Sequence, residues 1–233
     1  MSATARAFDV RHVQLGRALI AAVAAVMIAF SADHSAAVGL SVFGGFATAT
    51  ALVCGLGAWL VRSQRSLLVA LAVVALLASI MTSVQALHST TYFFILVMSW
   101  AAVAGAIELI VSIRARRTDT AARDGLLVGA LTLLLVVALL LVPMQYSWDY
   151  TIDEAGTFTL TGITLAVGIF GAYAAIVAVL LAIAGFSPRR EMRTEAPGPV
   201  EGLTTTVDAA EGTDEVSSTS GVRAGSPNNG GTA

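Results

Sequence analysis

Six apolar runs, each close to the length a bilayer demands, constrain this chain more than any other feature. A helix that crosses about 30 Å of hydrocarbon at 1.5 Å per residue needs roughly 20 mostly apolar residues. Runs of that kind lie near 13–32, 36–61, 66–87, 91–113, 125–143 and 158–186. A lipid environment leaves no water for unpaired backbone groups, so such runs fold as helices. Composition agrees: 57% of residues are hydrophobic, 12% are charged and mean hydropathy is +0.82, whereas a soluble domain is about one quarter charged. The expected fold class is therefore an all-α membrane protein. It has a short N-terminal segment (1–12), a six-helix transmembrane domain (13–187) and a tail (188–233). The lipid bilayer is the partner that this implies.

Orientation follows from arginine, because cytoplasmic loops retain positive charge. Arg6, Arg11 and Arg17 precede the apolar core of the first span, and Arg62 and Arg65 follow the second. Arg114, Arg116, Arg117 and Arg123 follow the fourth, and Arg189, Arg190 and Arg193 follow the sixth. The alternate loops, "ADHS", "LHSTT" and "MQYSWDYTIDEAGT", carry no basic residue. The reading is a multi-pass protein of a bacterial plasma membrane with both termini cytoplasmic. An arginine followed by a short apolar core and "SADHSAA" also resembles a secretory signal, but internal repetition argues for a retained span. "RALIAAVAAVMIAF", "RSLLVALAVVALLASI" and "RDGLLVGALTLLLVVALLL" each open an odd-numbered helix. Each is followed by an outer loop and a helix richer in glycine or aromatics, so the domain reads as three tandem helical hairpins. Beyond Thr194 the chain turns to Gly, Pro, Ser, Thr and acid, too polar to offset the entropy of ordering, and a disordered cytoplasmic tail is expected.

Within the spans one carboxylate stands out. Glu108 sits in "MSWAAVAGAIELIVSIRARR", about 9 Å of rise from Arg114. Intramembrane acids are costly and face protein or water. Ala101, Gly105, Glu108 and Ser112 share one helix face, so a neighbouring helix should approach there. Ser112, or an arginine reaching back from the inner loops (Arg62, Arg65 or Arg123), is the expected partner, with Arg65 placed in the candidate site beside Glu108 and Ser112. Ala47, Ala51 and Gly55 on the second span, Gly171 and Ala175 on the sixth, and Gly125 with Gly129 on the fifth form further small-residue ladders suited to a compact bundle or homo-oligomer.

The run Trp-Ala-x-x-x-Gly-x-x-Glu-(Ile/Leu)-Ile-x-x-Ile-Arg, carried by Trp100, Gly105, Glu108 and Arg114, resembles the end of the repeat in the HdeD-like family of small bacterial integral membrane proteins. The resemblance covers 16–117, and the third hairpin matches by layout alone. It implies six helices as tandem hairpins and an association with acid resistance, and no reaction or transported substrate. The first hairpin has no acid equivalent to Glu108, and the third has an unusually long outer loop.

In that loop, Tyr146, Trp148, Tyr150 and Ile152 alternate with Ser147, Asp149, Thr151 and Asp153, the period of an extended strand. A turn at Glu154–Gly156 leading into Thr157–Thr161 would make a small hairpin on the outer membrane face. Its aromatics (Tyr146, Trp148 and Tyr150) would lie toward the headgroups. Asp149, Asp153 and Glu154 lack calcium-loop spacing. His34 and His88 fall in outer loops, where solvated histidines or a pH-responsive pair are the alternatives. Cys54, the single cysteine, reads as a small core residue. The sequence contains no metal-ligand spacing, phosphate loop or nucleophile elbow, and no basic stripe interleaved with aromatics for nucleic acid. The expectation is a non-enzymatic protein without catalytic residues, metal or cofactor, acting in acid or envelope stress tolerance. The alternative is a small proton-linked transporter or channel using Glu108.

Overall fold

The computed structural model describes residues 10–62, 64–84, 88–115, 122–152 and 156–186. Six helices span Val10–Ala29 (α1), Ala36–Leu60 (α2), Arg65–Thr82 (α3), Thr90–Ala115 (α4), Ala122–Leu140 (α5) and Gly162–Phe186 (α6), and a hairpin of β1 (Ser147–Ile152) and β2 (Gly156–Thr161) precedes α6. All six helices are long and apolar enough to cross a membrane, and the chain is a multi-pass membrane protein. The N-terminal segment before Val10 and the acidic tail lie outside the described residues.

The helices close into a ring in chain order, with the last packed on the first. The tightest pairs are α2 with α3, α4 with α5, and α6 with α1. The two-helix unit of packing is therefore offset by one helix from the sequence repeat. What the sequence presents as hairpins α1–α2, α3–α4 and α5–α6 are the looser neighbours. Glycines let two of the tight pairs approach closely. A β-carbon at Gly129 would lie 2.8 Å from the Leu109 amide nitrogen and 3.1 Å from the Gly105 carbonyl oxygen, so α5 rests directly on the backbone of α4. A β-carbon at Gly171 would lie 2.8 Å from a methyl of Ile28, and one at Gly185 would lie 2.6 Å from Leu15, so glycines of α6 seat α1.

Even-numbered helices form the centre and odd-numbered ones the rim: 50%, 44% and 50% of the α2, α4 and α6 spans are buried, against 33%, 28% and 28% of α1, α3 and α5. Leu19, Val23, Leu77, Leu127 and Leu134 point outward from the rim, as lipid-facing side chains should. The centre is aromatic. Phe43 and Phe46 of α2, Trp100 of α4 and Phe170 of α6 meet edge to face, with ring centroids 5.3 to 5.7 Å apart, the separation that the ring quadrupoles favour. Phe43 and Phe170 are wholly buried. Tyr173 completes the layer, 6.4 Å from Trp100. Cys54 is buried and free, in keeping with a core residue.

Local chemistry sets the helix ends. Ser35 caps α2 by accepting from the Val38 amide, and Asp33 accepts from both the amide and the hydroxyl of Ser35 at 2.8 Å, satisfying donors that no helical carbonyl reaches. The third helix ends at Thr82, short of the expected Leu87. A ring nitrogen of His88 sits 2.9 Å from the Thr82 carbonyl oxygen at that end. The sixth begins at Gly162, four residues later than expected, because Phe158–Thr161 is taken up by β2, which pairs antiparallel with β1 from Ser147↔Thr161 to Ile152↔Gly156. The Gly162 amide donates to the Tyr146 carbonyl at 2.8 Å. A β-carbon at Gly162 would strike the Pro143 carbonyl, so glycine lets the hairpin fold back onto the end of α5.

Candidate functional site: a buried ion pair at the foot of a one-sided cavity

The sequence places Arg17 seven residues into α1 and Glu108 seven residues before the end of α4. At 1.5 Å per residue both side chains start about 10 Å below the same face of the bundle. They meet there: Arg17 Nη1 lies 2.7 Å from Glu108 Oε1, with the side chains 17% and 4% exposed. Because α1 and α4 stand opposite each other in the ring, the long arginine stem carries the charge across the interior. Arg17 is thus a partner inside the bundle, and its place among the loop arginines is corrected. Arg65, expected beside Glu108, is exposed at the first residue of α3. Ser112 is buried, but its hydroxyl abuts α5, where a β-carbon on Gly125 would collide with it.

Above and below the pair a few polar side chains line an otherwise apolar interior. On the side of the α2–α3 connection, a cavity of about 130 Å³ is lined by Gln14, Arg17, Gln64, Ser66, Glu108 and Ser112 together with apolar residues of α1, α3, α4, α5 and α6. Ser66, exposed at its edge, marks the mouth. On the other side of the pair a smaller space of about 20 Å³ is bounded by Thr50, Thr132 and Tyr173 and by Phe46 and Trp100, room for about one water. Thr132 Oγ1 lies 2.9 Å from Tyr173 Oη and donates to the Val128 carbonyl at 2.8 Å. The second space ends at the aromatic layer.

Other candidates fall into different roles. Ala47, Ala51, Ala101 and Gly105 are buried at helix contacts. Gly55 is not: nothing lies within 4 Å of where its β-carbon would be, and Ala175 likewise faces outward. Trp148 is 60% exposed on β1, while Tyr146 is half-buried. Asp149 accepts from the Thr159 hydroxyl at 2.6 Å, and Asp153 and Glu154 lie outside the described residues. Among the described residues no group of His, Cys, Asp and Glu could hold a metal ion. His34 borders a groove between α1 and α6, and His88 is engaged at the end of α3, so the two histidines sit in different settings. Arg17 and Gln14 are the cavity-lining side chains that the sequence reading did not place in the candidate site. Gln14 lies on the buried stripe of α1 with Val10, Val13 and Ala21, and Arg17 falls three residues on from Gln14 and four before Ala21, a helical spacing that could have found them.

No family model, no curated protein and no solved structure matches the chain.

Proposed function

We propose that this is a non-enzymatic protein of the HdeD-like type, resident in a bacterial plasma membrane with both termini cytoplasmic, that supports acid or envelope stress tolerance as a closed helix bundle. The observation that carries this reading is the pairing of Arg17 with Glu108 beside a layer of interlocked aromatic rings. Removing either partner from a buried pair strands a charge at a cost of roughly 3–5 kcal/mol, so the pair fixes α1 and α4 in one arrangement. The acid in the repeat motif then serves as a bolt. A strain lacking the gene should lose viability under acid or envelope stress and regain it with the wild-type gene. Unchanged survival under both stresses would refute the stress role.

A second reading has its own support. Glu108, Arg17, Thr132 and Tyr173 follow one another from an open cavity toward the middle of the bundle, as a proton-linked carrier would require. That mechanism needs the aromatic layer to part during turnover. Proteoliposomes showing pH-driven flux that Glu108→Gln abolishes would establish it, and flux equal to protein-free vesicles would discard it.

A further inference from the structure

The α2–α3 connection, at the arginine-rich end of the bundle, carries two positive charges that nothing in the bundle answers. The Arg65 amide donates to the Arg62 carbonyl at 3.5 Å, a closure over three residues that holds the two Cα atoms within about 7 Å of each other. Both arginines are exposed, and among the described residues Arg17 with Glu108 is the one salt bridge. Arg65 also opens α3, the end of a helix at which a cation is disfavoured. Neither an ion pair nor helix stability accounts for the doublet. A third side chain completes the setting. Trp59 lies in the last turn of α2 and is 77% exposed, whereas Trp100 at the bundle centre is 7% exposed. An indole at the end of a span rests its ring in lipid and its N–H at the wet boundary. One turn deeper on the same face, Gly55 has nothing within 4 Å of where its β-carbon would be, which leaves the helix surface open.

We propose that Arg62, Arg65 and Trp59 form a headgroup site for an anionic phospholipid of the leaflet on that side. Its phosphate bridges the two guanidiniums, whose planar N–H pairs match phosphate oxygens. The Trp59 N–H donates to an ester oxygen, and an acyl chain runs down the open surface past Gly55 and the exposed Leu56. Basic residues just outside a span draw anionic lipid in this way. A zwitterionic lipid brings its own cation beside the phosphate, which two arginines repel. A free phosphate ion brings no chain to cover Trp59 and Leu56, so a lipid is the occupant that satisfies both halves of the surface. The site stands apart from the proposed bundle role and does not depend on it.

The test titrates delipidated full-length protein in detergent with phosphatidylglycerol or phosphatidylcholine and reads binding by native mass spectrometry. Phosphatidylglycerol should bind at least fivefold more tightly, and inorganic phosphate at the same concentration should not displace it. Arg62→Gln and Arg65→Gln should each weaken phosphatidylglycerol about fivefold, the weight of one arginine near an anionic headgroup, with a smaller effect on phosphatidylcholine. Trp59→Leu should weaken both lipids. Arg123→Gln, which removes an equally exposed arginine from the first turn of α5, should change neither. All four positions are exposed, so the fold is left intact. Equal affinity for the two lipids, displacement by inorganic phosphate, or unchanged affinity in both Arg62→Gln and Arg65→Gln would overturn the assignment. A loss in Arg123→Gln as large as theirs would overturn it too, because the attraction would then be diffuse surface charge.

Discussion

Glu108 and Arg17 illustrate what a single residue reveals in a sequence and what it withholds. An acid among apolar neighbours announces a place turned away from lipid, toward protein or water. Its partner was harder to read. Arg17 lies at the boundary between polar and apolar sequence, where arginine ordinarily marks the cytoplasmic edge. Only the start of α1 at Val10 draws it inside the bundle. The Thr132–Tyr173 bond belongs to the same class, since the contact joins residues 41 apart in the chain. Its energetic weight is modest: Tyr173→Phe should lower unfolding free energy by about 1 kcal/mol, in line with hydrogen bonds between membrane helices. Steric-trap unfolding in bicelles would measure it, and a loss several times larger would mean that the hydroxyl supports more than Thr132.

At the scale of elements, glycine separates helices that touch by backbone from helices that touch by side chain. The four-residue spacing of Gly125 and Gly129 pointed to close packing, and α5 does rest on α4 there. The same kind of spacing pointed to Gly55, which faces open space. In an alanine-rich chain such spacings recur by chance, so only the packing partner distinguishes them. Gly129→Ala should therefore destabilise the bundle by about 1–3 kcal/mol, the usual cost of overpacking, because backbone atoms of Leu109 cannot yield. Gly55→Ala should be neutral or stabilising by less than about 1 kcal/mol, through reduced freedom of the unfolded chain. Thermal unfolding of both variants in one detergent would show the contrast, and equal midpoints would contradict the close contact of α4 and α5. The β1–β2 hairpin was legible from its period of two, but the start of α6 was not. An apolar sequence of Thr, Phe and Leu serves a strand as readily as a helix until a paired strand is present to claim it.

For the whole molecule, six spans were legible because bilayer thickness imposes a length that composition displays directly. Ring closure was not, because nothing local in α1 or α6 states that the first helix packs on the last. The Ile28–Gly171 contact tests closure. A β-carbon at position 171 would lie 3.2 Å from Ile28 Cβ, just under the roughly 3.5–4.5 Å of a disulfide. The pair Ile28→Cys and Gly171→Cys, in a Cys54→Ala background, should oxidise within one chain. Cross-linked dimers in its place would show α1 exchanged between copies, and no cross-link would open the ring. Orientation is tested separately. A periplasm-active reporter fused at His88 should be active and one fused at the C-terminus silent, and the reverse pattern would invert the topology.

The claim that joins these scales is that Arg17 and Glu108 hold opposite sides of the ring together, and a double-mutant cycle tests it most directly. Arg17→Leu and Glu108→Leu should each cost roughly 3–5 kcal/mol by stranding the other charge, while the double variant should lose no more than the worse single change. Losses that simply add would contradict the account, because they would mean that the two charges do not depend on each other.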